Sequence, residues 1–561
     1  MKPSSFRIDK KFLPCAWWHA ATWWILFLVS AVLLIGCGSI EVNRGPFDIV
    51  VPGQQLVEKE QQLEKIRQVG FRETPPNVLL ILVDDLGKHD ISLYDPDGVE
   101  TPHIEALAAS GSTFMHAFTS SPVCSPSRAA LFTGRYQQRF GFERQPMNRY
   151  SRNRIEYFFV DHFLNTEPMR LITPMADVPG EEIRKQGIPP GEILLSEILQ
   201  AAGYKTGLCG KWHLGNDSMF HPNKRGFDEF YGFLEAFTLF APEDQEGIVE
   251  HRHDYFANKH IWKQKRKGSC AIMRNDAVIT EDEYLTFAIA RESIGFIEQH
   301  QDRPFFLVSA FSAPHTPFQV PREYYEQLAH IKDHNKRVYY GMIAALDDAI
   351  GQLLSALETN GLKENTIIIF ASDNGGATYT GATDNGPLRA GKFSQFEGGI
   401  NIPMIISWPG EVPAGQQYTH QVSLLDVVPT VLEGAGLPSL GLMQLDGTNL
   451  LPFLNGITHV SHMDNPVKGP HEYLCWRTDF NKAIRTGKWK LIWNTRDKEV
   501  FLFNLEENNY EMENVAAMFP DVVEELQQVY EEWEQQMQPP LWPGVMEFKF
   551  ENYGETTWWA I

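Results

Sequence analysis

Short apolar runs and longer amphipathic segments follow one another along this chain. Residues 77–85, NVLLILVDD, form an unbroken apolar run that ends in two acids, the pattern of a strand buried on both faces. Residues 101–111, TPHIEALAASG, predict a helix that starts at Thr101-Pro102 and stops at Gly111. Residues 194–203 and 204–215 repeat the order of a helix followed by a strand. This alternation predicts an α/β fold with a mostly parallel sheet.

The alternation continues through residues 305–376 and changes after residue 454. Residues 482–494 and 500–508 then predict short strands with alternating apolar positions, and residues 522–537 predict an amphipathic helix. We therefore expect a large domain over residues 75–455, with helices on both faces of its sheet. A C-terminal subdomain with a small antiparallel sheet and a helix would occupy residues 456–561.

The first 36 residues have the pattern of an export signal. Basic residues precede the apolar segment 22–36, TWWILFLVSAVLLIG, and these are Lys2, Arg7, Lys10 and Lys11. The following LIGC resembles a bacterial lipobox, which implies that Cys37 is lipidated, and Gly38 in place of Asp favours the outer membrane. The alternative is an uncleaved membrane anchor, because residues 16–36 are long enough to span a bilayer.

Both alternatives place the remaining chain outside the cytoplasm, in the bacterial cell envelope as an outer-membrane lipoprotein or in the periplasm. Residues 37–74 then form a tether, lipid-anchored in the first alternative, with a short helix around residues 54–68. Six cysteines are too few for a disulfide framework, although a Cys209–Cys270 or a Cys270–Cys475 bridge is compatible with their number. The formal net charge of −22 argues against nucleic-acid binding. A local cationic pocket can still bind an anionic substrate, because charges are screened beyond about 8–10 Å.

Polar groups recur at the predicted carboxyl ends of the strands, where open parallel sheets collect their functional residues. Asp84 and Asp85 end one strand, and Asp373 and Asn374 follow another. Four oxygen donors of this kind suit a hard divalent cation such as Ca²⁺ or Mg²⁺, and no sulfur-rich or histidine-rich cluster indicates zinc. The alternative is that these acids cap helices or face water.

Four basic residues are predicted at the same edge, and these are Lys211, His213, His315 and Lys392. Each of them alone is compatible with a solvated loop. If the strands belong to one sheet, however, their tips converge on one rim and the four side chains meet there.

Residues 120–136, SSPVCSPSRAALFTGRY, place Cys124 directly before a predicted helix. Ser125 fits the N-cap position and Pro126 the first helical turn. The helix N-terminus would present free N–H groups and a partial positive charge, and Arg128 would add a guanidinium suited to paired anionic oxygens. These features indicate an anion site, and the alternative is a buried structural cysteine before an ordinary helix.

The segment CSPSRAALFTGR at 124–135 resembles the type I sulfatase signature C-x-P-S-R-x-x-x-x-T-G-R at every specified position. GYKTGLCGKWHLG at 203–215 resembles the second signature of that family. Six further segments match in the family's order: NVLLILVDDLG, TPHIEALAASG, RGFDEFYGF, APHTPF, SDNGG and LDGTNLLPFLNG. The resemblance covers residues 75–515 and implies an alkaline-phosphatase-like fold.

The resemblance implies that a formylglycine-generating enzyme oxidises Cys124 to formylglycine (3-oxoalanine). One oxygen of the hydrated aldehyde, a gem-diol, would contact the metal and attack sulfur. One Ca²⁺ would be held by the strand-tip donors Asp84, Asp85, Asp373 and Asn374. Arg128 would stabilise the diol, and Lys211 and Lys392 would bind sulfate oxygens. His315 would protonate the leaving alcohol, and His213 would accept a diol proton as sulfate leaves.

The implied activity is hydrolysis of sulfate esters, with a sulfated carbohydrate as the expected substrate. Residues 142–163 carry aromatic and basic side chains that would form substrate subsites or simply pack. The chain departs from the family at Lys88 and His89, which we interpret as specificity residues, and at Asn401, which we interpret as packing. A phosphoester hydrolase of the same superfamily and an inactive glycan-binding relative are the alternative functions.

Overall fold

The computed structural model describes residues 53–69, 71–146, 169–171, 184–437, 444–456, 459–460, 467–507, 510–542, 544, 546–552 and 555–560. The predicted signal segment 1–36 and Cys37 lie outside these residues, and so does most of segment 142–163. Among the described helices, none combines the length and the apolar character that a membrane span requires.

Twenty-four strands are described. They are, in chain order, β1 (Asn77–Asp84), β2 (Ser112–Phe114), β3 (Ala117–Phe118), β4 (Met169–Leu171), β5 (Lys205–Lys211), β6 (Glu229–Phe233), β7 (Ile248–His251), β8 (Met273–Arg274), β9 (Ala277–Val278), β10 (Phe305–Pro314), β11 (Phe318–Pro321), β12 (Thr366–Ser372), β13 (Asn401–Ile402), β14 (Met404–Ser407), β15 (Gln416–Tyr418), β16 (Val422–Ser423), β17 (His459–Val460), β18 (Val467–Lys468), β19 (Tyr473–Thr478), β20 (Asn481–Thr486), β21 (Trp489–Asn494), β22 (Val500–Asn504), β23 (Met546–Asn552) and β24 (Glu555–Ala560).

Twelve α-helices are described. They are α1 (Gly53–Val69), α2 (Pro102–Ala109), α3 (Cys124–Thr133), α4 (Leu195–Ala201), α5 (Phe256–Gln264), α6 (Leu285–Gln299), α7 (Arg322–Gln327), α8 (His334–Thr359), α9 (Glu397–Ile400), α10 (Val427–Gly434), α11 (Leu451–Leu454) and α12 (Pro520–Glu534).

A ten-stranded sheet in the order β15-β2-β14-β12-β1-β10-β5-β6-β8-β9 forms the centre of the fold. Strands β12, β1, β10, β5 and β6 pair in parallel, as the sequence pattern predicted. Antiparallel pairs flank this block where β14 joins β12 and where β8 joins β6. The parallel block has its strand ends in register, so the residues that follow β1, β5, β10 and β12 reach one edge.

Strand β1 is buried on both faces, and its side chains alternate between two cores. Leu80 and Leu82 pack with residues of α3, α4 and α10, whereas Leu79 and Ile81 pack with residues of α2, α6 and α8. The predicted arrangement of one sheet between two helical layers is confirmed. The unbroken apolar run over residues 78–83 of β1 is the direct consequence of covering both faces of the sheet.

The C-terminal region contains the expected small antiparallel sheet, in the order β19-β20-β21-β22. Leu526, Tyr530 and Trp533 of α12 pack on this sheet in a cluster that also includes Ala130 of α3. The small sheet therefore supports the helix that begins at Cys124. The structure describes four cysteines, and all four are unpaired: Cys124, Cys209, Cys270 and Cys475. Neither of the two disulfide alternatives is therefore formed.

Helix α1 lies within the segment predicted as a tether, and it packs on the folded body. Leu63 and Ile66 are buried, and the Lys59 ammonium lies 2.6 Å from a carboxylate oxygen of Glu197 in α4. This part of the segment is therefore fixed to the α/β unit by apolar contacts and by a largely buried ion pair.

Candidate active site

Two neighbouring strands deliver the predicted oxygen donors. Asp84 is the last residue of β1, and Asp373 and Asn374 directly follow β12, which pairs with β1 in parallel. The Asn374 amide donates a hydrogen bond to Asp85 Oδ1 at 2.8 Å, and the Asp85 N–H lies 3.4 Å from Asp373 Oδ1. Asp85 has φ 63°, a left-handed conformation that turns the chain sharply away from the strand.

The two predicted lysines meet these acids. Lys211 ends β5, and its Nζ lies 2.6 Å from Asp84 Oδ2. Lys392 approaches from the loop after β12, and its Nζ lies 2.8 Å from Asp85 Oδ1. Both lysines and both acids are buried, so solvated loops are excluded as the explanation for these four residues.

Glycine at position 210 is required for this placement of Lys211. Gly210 has φ 120°, and a Cβ atom built on it would lie 1.9 Å from the carbonyl oxygen of Ala310 in β10. Only glycine permits this backbone conformation together with such a close approach of β5 to β10. The backbone conformation thus explains the glycine that precedes the lysine in the second sequence signature.

Helix α3 starts at Cys124, so the prediction of Ser125 as its N-cap is wrong. Val123 is the N-cap residue, and the Ser125 hydroxyl donates instead to the carbonyl of His213 at 2.5 Å. Arg128 lies one turn after Cys124 on the same face. Its Nε donates to Asp373 Oδ2 at 2.8 Å and its Nη1 to the Lys211 carbonyl at 2.9 Å, so the guanidinium connects three of the converging segments.

The two predicted histidines complete the cluster. His315 Nε2 lies 3.6 Å from Asp85 Oδ2, and Nδ1 lies 2.5 Å from the Thr316 carbonyl oxygen. A carbonyl only accepts, so Nδ1 carries the proton and Nε2 is directed toward the acids. Within the described part of the chain, neither ring nitrogen of buried His213 has a hydrogen-bond partner.

A divalent cation fits this arrangement of donors. One potential ligand atom from each of Asp84, Asp85, Cys124 and His315 lies within 4.8 Å of the others. Two buried oxygen atoms are also available as ligands. Asp84 Oδ1 and Asn374 Oδ1 accept no hydrogen bond from the described residues. Buried oxygens without a donor are rare in folded proteins, and carboxylate and amide oxygens are the ligands that Ca²⁺ prefers.

Burial and local charge set the protonation of the site. Burial raises the pKa of the Cys124 thiol to about 12, so the unmodified thiol is neutral at physiological pH. Burial, together with Lys392, lowers the pKa of His315 to about 4, and burial with Lys211 and Arg128 lowers the pKa of His213 well below its ordinary value. Burial opposes ionisation of Asp84, but Lys211, His315 and Arg128 outweigh it and lower the pKa of that carboxyl.

Sequence reasoning missed a tyrosine that supports the site from α8. The Tyr339 hydroxyl is buried, donates to Asp90 Oδ2 at 2.7 Å and lies 3.3 Å from the Asp85 carbonyl oxygen. Asp90 also accepts a 2.7 Å hydrogen bond from Thr383. In the sequence, Tyr339 appears only as an apolar position of an amphipathic helix, and nothing in that pattern indicates its hydroxyl.

The three residues that depart from the family pattern, Lys88, His89 and Asn401, have partners other than the strand-tip acids. Lys88 is buried, and its ammonium donates to the side-chain oxygen of Asn401 at 3.1 Å and to the Met115 carbonyl. His89 lies 3.6 Å from Asp95. Lys88 is therefore a packing residue that is matched to Asn401, and our interpretation of it as a specificity residue is not supported by its position.

Comparison with known proteins agrees with this geometry. A family model described as "Sulfatase" matches residues 76–437, and a second, "N-sulphoglucosamine sulphohydrolase, C-terminal", matches residues 391–538. The chain is 35% identical to the dog (Canis lupus familiaris) N-acetylgalactosamine-6-sulfatase over 425 residues, which cover 74% of this chain and 71% of that protein. It is 26% identical to the Escherichia coli uncharacterized sulfatase YdeN, over 85% of this chain and 88% of that one.

A solved structure is also similar, that of Ps i-CgsB in complex with k-i-k-neocarrahexaose. The TM-score is 0.68 and the sequence identity 33%, over 83% of this chain and 94% of the other. The family model spans the whole region that holds the acids, the lysines, the histidines and Cys124. The chain therefore belongs to the sulfatase family and is a sulfuric ester hydrolase.

Proposed function

We propose that this protein hydrolyses O-sulfate esters of a carbohydrate, with residue 124 as the source of the nucleophile. The observation that carries the proposal is the close approach of Cys124, Asp84, Asp85 and His315, whose ligand atoms lie within 4.8 Å of one another. The printed names of two similar proteins support the substrate class. One is an N-acetylgalactosamine-6-sulfatase, and the other was solved in complex with a neocarrahexaose.

We further propose that a formylglycine-generating enzyme converts Cys124 to formylglycine and that one Ca²⁺ is bound by Asp84, Asp85, Asp373 and Asn374, next to residue 124. When present, the formylglycine hydrate supplies the nucleophilic hydroxyl, and the cation activates it and offsets negative charge. Three buried carboxylates face three buried cationic side chains in this structure. A divalent ion would add the positive charge that favours an anionic ester.

Lys211 and Lys392 are the proposed ligands of the sulfate oxygens. Their ammonium groups now contact Asp84 and Asp85, which are also the proposed cation ligands. Each lysine would turn from its carboxylate toward the sulfate when the cation and the ester bind. Arg128 stays on Asp373 and orients residue 124 from one helical turn away. Cations placed in advance stabilise the charge that spreads over the transferring group.

His315 is the proposed general acid for the leaving alcohol. The doubly protonated ring, which an anionic ester beside it favours, gives its Nε2 proton to the alcohol oxygen and keeps the Nδ1 proton. Its Nδ1–H is held by the Thr316 carbonyl, which orients the ring. A sugar alcohol is a poor leaving group and requires a proton as the S–O bond breaks, and histidine is suited to that task. His213 accepts a proton from the side chain of residue 124 as sulfate leaves, a role compatible with its two ring nitrogens lacking partners in the described part of the chain.

For the cellular location, we propose an exported lipoprotein attached through Cys37. The support is the sequence alone, a basic N-terminus followed by an apolar segment and LIGC. The test is expression of the full chain and of a Cys37→Ser variant in a Gram-negative host. The wild type should appear in the membrane fraction and the variant should not carry lipid, whereas an equal membrane fraction for both would support the uncleaved anchor.

The test of the activity compares matched aryl sulfate, aryl phosphate and sulfated oligosaccharide substrates. The protein is co-expressed with a formylglycine-generating enzyme, and the aldehyde is detected by hydrazide labelling. We expect sulfate release from both sulfate substrates, no labelling and no turnover in Cys124→Ala, and normal turnover in Cys270→Ala, which replaces another buried, unpaired cysteine. Faster hydrolysis of the phosphate, or activity in Cys124→Ala, would contradict the proposal.

A further inference from the structure

A cavity lies beside the candidate active site and shares with it the loop around Lys392. Its volume is about 450 Å³, and the residues that line it include Lys336, Tyr379, Asp384, Ala390 and Lys549. Ala390 precedes Lys392 by two residues. The cavity is therefore formed in part by the same loop that carries a proposed sulfate ligand.

Aromatic stacking connects the cavity to Lys392. Tyr379 lines the cavity, and its ring stacks on Phe393, the residue directly after Lys392, with centroids 5.6 Å apart. Phe548 of β23 stacks on Phe393 at 4.1 Å and lies 4.9 Å from Tyr379. Because Phe548 precedes Lys549, the hairpin β23–β24 forms one side of the cavity and also supports the Lys392 loop.

This hairpin lies outside both family models, which end at residues 437 and 538. Its two strands occupy residues 546–552 and 555–560, and β4 pairs with β23 on the side away from β24, through ladder pairs such as Phe548 with Met169. One side of the cavity therefore belongs to the family's common site, and the other side to a segment that the family models do not cover. Such a segment is where relatives are expected to differ in their choice of substrate.

The cavity has the chemistry of an anionic sugar site. Lys336 and Lys549 contribute two ammonium groups, and Asp384 and Thr378 contribute a carboxylate and a hydroxyl. Lysine pairs with sulfate oxygens, whereas a carboxylate and hydroxyl groups bond sugar hydroxyls. The half-buried Lys336 is held over the Tyr340 ring at 4.9 Å, which limits its conformations.

We infer that this cavity binds a second sulfate group of the same carbohydrate, on a sugar unit next to the one that is desulfated. Lys549 and Lys336 contact that sulfate, and Asp384 bonds sugar hydroxyls. The inference rests on the proposed function, and it specifies the substrate as a carbohydrate with sulfate groups on neighbouring units.

The experiment measures kcat/KM for two hexasaccharides that differ only in the presence of a sulfate on the neighbouring unit. The ratio of the two values is determined for the wild type, Lys549→Gln, Lys336→Gln and the control Lys488→Gln, which replaces an exposed lysine outside the cavity. We expect the wild type and the control to prefer the second sulfate at least about tenfold, the effect of one charge-assisted contact. The ratio should fall toward one in both test variants.

The two test positions lie on different elements, α8 and β23, so a folding defect in one variant leaves the other as a test. Turnover of 4-methylumbelliferyl sulfate by each preparation reports whether the site is assembled. A wild-type ratio near one, or an unchanged ratio in folded Lys549→Gln and Lys336→Gln, overturns the inference alone. Hydrolysis of the aryl sulfate without sulfate release from any oligosaccharide overturns the proposed carbohydrate substrate as well.

Discussion

The Lys88 ammonium donates a 3.1 Å hydrogen bond to the side-chain oxygen of Asn401, 313 positions later in the chain. Both residues are buried, and both belong to the positions that we identified as departures from the family pattern. The Asn401 amide in turn donates to Glu397 at 2.9 Å. Two of the three departures from the family pattern, Lys88 and Asn401, therefore form one interaction, in which a short neutral acceptor leaves room for a buried ammonium.

This pairing predicts a strong coupling between substitutions at the two positions. Asn401→Arg places a second cation beside Lys88 and should destabilise the protein by about 3 kcal/mol, because a buried charge loses its compensation. In Lys88→Met/Asn401→Arg the repulsion is absent, and we expect a coupling free energy of about 1–3 kcal/mol. Urea unfolding of the wild type, both single variants and the double variant measures it. Additivity within about 0.5 kcal/mol would contradict the pairing.

Lys88 also predicts a pH dependence of stability. Burial lowers its pKa from 10.5 to about 8, with Glu397 opposing and Arg485 adding to the shift. Between these values the unfolded chain binds more protons than the folded one, so folding becomes more favourable as the pH rises from 8 to 10.5. Relative to Lys88→Met, the wild type should gain up to about 3 kcal/mol across this window. A difference that stays constant with pH would show that Lys88 keeps its ordinary pKa.

The proposed cation site predicts a stability increase on Ca²⁺ binding. At a free concentration of about 100 times Kd, Ca²⁺ should stabilise the wild type by about 2.7 kcal/mol and raise Tm, whatever the state of residue 124. Asp84→Asn should abolish the increase, because it removes a carboxylate whose Oδ1 has no donor among the described residues. Asp348→Asn is the control, since the exposed Asp348 lies with His103 and the buried Asp347 in a second group that could hold a metal ion. If Asp348→Asn instead abolished the Ca²⁺-dependent increase in stability, the ion would be bound at the group that contains Asp348.

The role of His315 predicts an effect that depends on the leaving group. His315→Gln should lower kcat for an alkyl or sugar sulfate by about 10²–10⁴-fold, because the alcohol then leaves without a proton. Hydrolysis of 4-nitrophenyl sulfate should fall much less, since nitrophenolate leaves unaided. Both rates are measured on the same variant. The control His103→Gln, which replaces an exposed histidine, should lower neither rate. Equal losses for both substrates would assign His315 to binding.

A buried ionic cluster beside Asn401 predicts where the C-terminal sheet contributes most to stability. Lys490 of β21 lies 2.8 Å from Glu397 of α9 and 2.7 Å from Glu511, and all three are buried. Lys490→Met leaves two carboxylates without this cation and should destabilise the protein by about 3–5 kcal/mol. Lys488→Met, which replaces an exposed lysine in the turn between β20 and β21, should change stability by less than about 0.5 kcal/mol. Similar urea midpoints for the two variants would show that the cluster contributes little.

The central sheet and most of the candidate site could be predicted from short stretches of sequence. The apolar run within residues 77–85 indicates a strand that is buried on both faces of the sheet. Parallel strands align their ends, so the acids at the end of this strand lie at the same sheet edge as those that follow β12. Lys211 and His315 follow the same rule, since each ends or directly follows a parallel strand. Local pattern and strand polarity were sufficient for these residues.

Contacts between distant segments followed from packing alone. Whether Ser125 caps its helix depended on the His213 carbonyl, 88 positions away, which offers its hydroxyl another partner. The hydrogen bond between Lys88 and Asn401 joins segments that no sequence periodicity relates. The same holds for the stacking of Phe548, in the hairpin β23–β24, on Phe393. Amphipathic pattern reports how much of a side chain is buried but not which neighbour it meets, because the neighbour is chosen by the packing of complete elements.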